Sequence, residues 1–90
     1  MPVAVYIPGS LRNWFGGADE ATATGSTVGE CLADLARSHP SFDGRLNEPG
    51  GGIATLLIFV NGDNVMKDRG LETPVSEGDT IGIIPLAAGG

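Results

Sequence analysis

One amphipathic helical pattern stands out in the 90-residue chain, and it limits the fold to a helix on one side of a sheet. The segment 26–40, STVGECLADLARSHP, places Thr27 and Glu30 at the spacing of a capping box, and Pro40 ends the pattern. A single apolar stripe buries only one surface, so this helix must lie on one face of a sheet formed by the rest of the chain. The stripe consists of Val28, Cys31, Leu32, Leu35 and Ala36.

Segments with alternating apolar residues precede the helix and predict a pair of strands. VAVYIP, at residues 3–8, has the period of a half-buried strand, and EATATG, at residues 20–25, repeats it. A long, irregular loop with Trp14 and Phe15 separates them, and this aromatic pair is expected to cover an edge of the core. The two segments therefore predict a β-hairpin.

Strand patterns also follow the helix. Residues 41–52 are expected to form a loop that Phe42 and Leu46 anchor in the core. The strand in ATLLIFVNGDNV, residues 54–65, should turn at Asn61-Gly62, because both residues accept a positive φ, into a short strand that includes Val65. A last strand is expected after a turn at residues 77–79.

The predicted order is β, β, α, β, short β, β, with the first and last strands as the central pair. This order is that of the α+β class known as the β-grasp, or ubiquitin-like, fold. It predicts a mixed sheet of four to five strands with one main helix packed on one face. Residues 1–85 would form the domain, and residues 86–90 a flexible carboxyl-terminal tail.

Charge and cysteine content exclude several classes of function. The formal net charge is −6 and the sequence pI is about 4.3, which argues against nucleic acid and anionic membrane surfaces as partners. Cys31 is the only cysteine and is expected to be a buried small hydrophobe, and the acidic residues show no arrangement typical of a metal site. No apolar run is long enough to span a bilayer and no leader is apparent, so a cytoplasmic location is expected.

The last five residues, LAAGG, suggest chemistry at the chain end. Fully extended, five residues reach roughly 16–18 Å. Ala87, Ala88, Gly89 and Gly90 have so little side-chain volume that such a tail can enter a narrow channel. The group it would deliver is the α-carboxylate of Gly90, which reacts as an acyl donor only after activation. The alternative is a frayed terminus without a function.

Three stretches resemble the MoaD/ThiS family of ubiquitin-like sulfur carrier proteins. They are IPGSLR with the following Gly16-Gly17, the hairpin FVNGDNV, and EGDTIGIIPLAAGG, of which only the last is specific. Within the family the chain is most similar to the carrier of thiocarboxylate-dependent cysteine biosynthesis. The resemblance implies a protein co-substrate without catalytic activity of its own, rather than an enzyme.

The resemblance also implies a reaction sequence and its partners. An adenylyltransferase related to ubiquitin-activating enzymes would use ATP and magnesium to adenylate Gly90, and a sulfur donor would convert the adenylate to a thiocarboxylate. The sulfur acceptor would be a pyridoxal-phosphate cysteine synthase or, alternatively, the large subunit of molybdopterin synthase. In the cysteine route, a metallopeptidase would release the new cysteine. The carrier itself would bind no cofactor and no metal.

Alternation along the strands predicts a docking face on the uncovered side of the sheet. If Ile81 and Ile83 face the helix, Ile84 faces away, and Tyr6, Leu57 and Phe59 join it in an apolar patch that leads toward the tail. Contiguous exposed apolar area is typical of an interface. A register shifted by one residue would exchange the two faces.

Other functions use the same chain ending. Molybdopterin synthase small subunits and the sulfur carriers of thiamin or thio-sugar pathways share it, so the ending leaves the pathway open. A ubiquitin-like modifier conjugated to lysines through Gly90 is an alternative of another class, as is a plain interaction domain. Lys67 is the only lysine of the chain.

Overall fold

The computed structural model describes the backbone of residues 2–46 and 56–85 and the side chains of residues 2–44 and 56–84. Within these ranges it contains five strands, two α-helices and three short 3₁₀ helices. The strands and α-helices are β1 (Pro2–Tyr6), β2 (Glu20–Thr24), α1 (Val28–Ser38), α2 (Pro40–Leu46), β3 (Leu56–Val60), β4 (Asp63–Asn64) and β5 (Thr80–Pro85). The 3₁₀ helices are Gly9–Phe15, Val65–Lys67 and Gly70–Glu72.

The strands form one mixed sheet with the order β2-β1-β5-β3-β4. β1 and β5 are parallel, whereas β1 with β2, β3 with β5, and β3 with β4 are antiparallel. The first and last strands are therefore neighbours in the interior of the sheet, as the sequence predicts. With α1 on one face, this is the predicted β-grasp arrangement.

The core lies between the sheet and α1. Val3, Val5 and Ile7 from the start of the chain are fully buried, and so are Ile81 and Ile83 from β5. The helix contributes the predicted stripe, in which Val28, Cys31, Leu32 and Leu35 are buried. The period-two pattern in the strands therefore assigned the inward and outward faces correctly.

Two hydrogen bonds fix the start of α1. The Glu30 backbone N–H donates to Thr27 Oγ1 at 3.2 Å, as the capping box predicts. The Glu30 carboxylate, however, accepts from the backbone N–H of Ser26 at 2.7 Å, rather than from that of Thr27. The return bond thus lies one residue further toward the amino terminus and fixes the turn that enters the helix.

The prediction of a loop after Pro40 is wrong for its first part. The main helix ends at Ser38, but Pro40 then begins α2. Proline is tolerated at the first position of a helix because a backbone N–H there has no hydrogen-bond partner within the helix, so its absence costs nothing. Phe42 in α2 is fully buried, as predicted, and its ring centroid lies 4.9 Å from that of Phe15. The side chain of Leu46, the other predicted anchor, lies outside the described residues.

The hairpin at Asn61-Gly62 forms as predicted, with φ values of 52° and 89°. Its return strand is shorter than expected: β4 ends at Asn64, whose side chain accepts from the backbone N–H of Met66 at 2.9 Å and starts a 3₁₀ helix. Val65 is buried, but in that helix and not in a strand.

A polar bridge connects the hairpin to the start of β5. The Asn61 side-chain amide donates to Asp79 Oδ1 at 3.1 Å, and its oxygen accepts from the backbone N–H of Thr80 at 3.0 Å. The hydrogen bond from Asn61, with a second from the Ser76 backbone, lowers the pKa of Asp79 from its ordinary value. The bridge holds β3 and β5 together at the end of their pairing opposite Leu56 and Pro85.

Gly25, between β2 and α1, is required by close packing. A Cβ at this position would lie 2.7 Å from Glu30 Cβ and 2.8 Å from the backbone nitrogen of Cys31. Gly44 in α2 is the matched contrast, because a Cβ there meets nothing within 4 Å.

We expect Gly25→Ala to lower the free energy of unfolding by about 1–3 kcal/mol, the usual cost of overpacking. Gly44→Ala should leave it unchanged or raise it by up to about 1 kcal/mol, because alanine favours a helix. Urea denaturation followed by circular dichroism measures both. Equal stability of the Gly25→Ala variant and the wild type would contradict the close packing at this turn.

Candidate functional site

The face of the sheet opposite α1 carries a group of large apolar side chains. Tyr6 is 49% exposed and Ile84 is 43% exposed, while Leu57 and Phe59 are half-buried. The structure brings these four predicted residues together on the uncovered face; we call them the docking face. Their role in docking stays a prediction.

Strand register sets the internal order of the docking face. Leu57 on β3 lies opposite Ile84 on β5, and Phe59 lies opposite Gly82. On the other side of β5, Gly82 is in register with Tyr6 on β1. Tyr6 and Phe59 therefore stand on either side of a glycine, with the Leu57–Ile84 pair nearer to the end of β5.

Gly82 was not singled out from the sequence. A glycine between Ile81 and Ile83 was the available signal, because glycine is unusual inside a strand. Its place between two aromatic side chains depends on the pairing of three strands that are distant along the chain. Local periodicity contains no information about such pairing.

The end of β5 projects beyond its neighbour β1. The pairing of β1 with β5 stops at Tyr6 and Gly82, whereas that of β3 with β5 continues to Leu56 and Pro85. Ile84 therefore lies past the end of β1, at the point from which the chain continues to residue 86. The predicted tail residues, Ala87, Ala88, Gly89 and Gly90, and the predicted flexible segment 86–90 lie outside the described residues.

A groove lies beside Phe59 at the β4 edge of the sheet. It has a volume of about 580 Å³. Asp63, Asp68 and Lys67 are among the residues that line it. Its remaining lining residues are Gly62 and Asn64. The β4 residue in register with Phe59 is the uncharged Asn64, whereas Asp63 is in register with the buried Val60.

Cys31 lies in the core and not in a site. It is fully buried on α1, and burial raises the pKa of its thiol, assisted by the negative charges of Asp34 and Glu30. A raised pKa disfavours the thiolate, which is the nucleophilic form. The predicted buried role of Cys31 agrees with this placement.

His39 has a structural place at the end of α1. His39 caps α1 and packs against the ring of Phe15, with ring centroids 4.8 Å apart. Within residues 2–46 and 56–85, no group of three or more His, Cys, Asp or Glu residues could hold a metal ion. Over the same part of the chain, no helix has the length and apolar character needed to cross a membrane.

Comparison with known proteins gives a family and relatives that match along the whole chain. The model of the ThiS family matches residues 5–90. The sulfur carrier protein CysO of Mycobacterium tuberculosis is 36% identical over 93 residues, and the alignment covers 100% of both chains.

Two solved structures extend the comparison to the fold. The CysO-containing complex of Amycolatopsis orientalis, BexX/CysO, matches with a TM-score of 0.83 and 36% identity over 98% of this chain and 99% of the other. The small archaeal modifier protein 1 of Methanosarcina acetivorans matches with a TM-score of 0.85 and 29% identity over 99% and 96% of the two chains. The chain is thus similar both to a sulfur carrier and to a modifier.

Proposed function

The chain belongs to the ThiS family, and on that premise we propose that it is a sulfur carrier whose reactive group is the carboxylate of Gly90. The observation that carries the proposal is the 36% identity, over the full length, to the sulfur carrier protein CysO. The family match also continues through residue 90, so it includes the positions of the tail. The chain acts as a protein co-substrate and not as a catalyst.

The proposed chemistry takes place on the tail. A carboxylate oxygen of Gly90 attacks the α-phosphorus of ATP, pyrophosphate leaves, and an acyl-adenylate forms. Sulfide then attacks the acyl carbon and displaces AMP, which leaves a thiocarboxylate. A partner adenylyltransferase supplies ATP and magnesium, and the carrier contributes an unhindered carboxylate, because glycine has no Cβ.

The domain presents this tail to the partner. The docking face lies on the side of the sheet that α1 leaves open, and Ile84 at its end immediately precedes Pro85 and the tail. An enzyme that binds this face would therefore lie close to the residue from which the tail continues. In the Amycolatopsis structure a CysO protein is found in complex with BexX, which supports a carrier that works through partner proteins.

Similarity to CysO supports cysteine synthesis as the route that uses the sulfur. The acceptor would be a serine derivative activated in a pyridoxal-phosphate enzyme, and a metallopeptidase would release the cysteine formed on Gly90. Molybdopterin, thiamin and thio-sugar synthesis are the alternative routes for a carrier with this ending.

Protein purified from its native host tests the carrier chemistry. Intact-mass spectrometry should find a fraction in which one oxygen is replaced by sulfur, and fragmentation should place the sulfur on Gly90. Absence of sulfur under both starved and replete growth would contradict the proposal.

The similarity to an archaeal modifier favours a second candidate function, in which Gly90 forms isopeptide bonds with lysines of other proteins. The same purification separates the two functions. A modifier gives larger conjugates that disappear when Gly90 is deleted, whereas a carrier gives the sulfur-substituted monomer.

We expect Phe59→Asp to lower the rate of Gly90 adenylation by at least about tenfold at limiting carrier concentration, because a charge replaces a central apolar contact. Met66→Asp is the matched control. Met66 is 76% exposed and is not one of the four docking-face residues. Pyrophosphate release by the host adenylyltransferase measures both rates. A Phe59→Asp variant that is folded, by circular dichroism, and fully active would contradict the docking role.

A further inference from the structure

The glycine between Tyr6 and Phe59 is not required by the fold. The φ of Gly82 is outside the positive range that favours glycine. A Cβ built on Gly82 would have one neighbour within 4 Å, Phe59 Cβ at 4.0 Å, which is an ordinary van der Waals contact. A side chain would also suit a strand inside a sheet better than glycine, which weakens strands and often marks a close approach by another molecule.

What Gly82 provides is an open space between two aromatic side chains. Neighbouring strands lie about 4.8 Å apart, so the backbones at Tyr6 and Phe59 are about 10 Å apart across β5. Their side chains project from the same face, because both are in register with Gly82. The register therefore places a position without a side chain between two aromatic residues, over the backbone of β5, and we call this gap the notch.

The charges around the notch indicate what enters it. Glu20 on β2, Tyr6 on β1, Gly82 on β5 and Phe59 on β3 are in register and form a row across the sheet. The carboxylate of Glu20 lies at one end of this row. At the other end, the β4 residue in register with Phe59 is the uncharged Asn64, and the groove beside it is lined by Asp63, Asp68 and Lys67. The whole chain has a formal net charge of −6. A cationic side chain is therefore attracted to this row.

Arginine meets both requirements of the notch. Its methylene groups pack on an apolar surface, and its planar guanidinium stacks on aromatic rings while pairing with a carboxylate. We propose that the notch of Tyr6, Gly82 and Phe59 receives an arginine of the enzyme that activates the carrier, with Glu20 as its counter-ion. This proposal rests on the proposed function and adds a specificity-determining residue, Gly82, to it.

Graded filling of the notch tests the proposal. The probe is the host enzyme purified by its ability to adenylate the wild-type carrier, and pyrophosphate release gives KM and kcat for each variant. Gly82→Val should raise KM for the carrier by about tenfold or more with kcat unchanged, and Gly82→Ala should have an intermediate effect, since the side chains exclude the arginine.

Thr80→Val is the matched control, because Thr80 lies on the same strand and the same face, two residues before Gly82. Its KM should stay within about twofold of the wild-type value. Thermal denaturation should give Gly82→Ala and Gly82→Val midpoints at or above that of the wild type, which separates loss of binding from loss of folding. If the folded Gly82→Val variant has the wild-type KM, the proposal that the notch receives a side chain of the enzyme is contradicted.

Glu20→Gln tests the charge of the occupant. At low ionic strength this change should raise KM by about threefold, and it should make the increase of KM with salt shallower than in the wild type. If KM and its salt dependence are unchanged in Glu20→Gln, the proposal that an arginine occupies the notch is contradicted, even if Gly82→Val binds weakly. If no protein fraction from the host adenylates the wild-type carrier, the proposed function is contradicted. The proposal about the notch, which rests on that function, is then contradicted as well.

Discussion

The parallel pairing of β1 with β5 is the contact on which the rest of this molecule depends. It joins the first and last strands in the interior of the sheet, with Val5 opposite Ile81 and both fully buried. Residues from both ends of the chain thus meet in one core under α1. β5 continues past the end of β1, so Ile84 and Pro85 lie beyond that pairing at one end of the sheet.

The two faces of the sheet have different roles. On the helix side, apolar side chains and the single thiol are buried, so this side contributes stability. On the other side, Tyr6 and Ile84 are exposed, and Leu57 and Phe59 are half-buried.

Much of the fold could be predicted because it depends on local patterns. Alternation assigned the strand faces, and Thr27 with Glu30 located the start of α1. The helix α2 was missed because Pro40 ends one helix and begins another, and proline is typical of both positions. Gly82 was missed because its neighbours come from β1 and β3, and only the sheet order brings them together. The proposed chemistry of Gly90 rests on the sequence and the relatives, since residues 86–90 are outside the described structure.

The position of the reactive carboxylate is tested most directly with a carrier that has one alanine added after Gly90. The added residue moves the terminal carboxylate by roughly 3.5 Å and places a methyl group beside it. Pyrophosphate release by the purified activating enzyme should then fall by about a hundredfold or more, because a displacement of this size removes the geometry needed for attack on ATP. An undiminished rate, with mass spectrometry showing the added alanine still present, would contradict the assignment of Gly90 as the reactive residue.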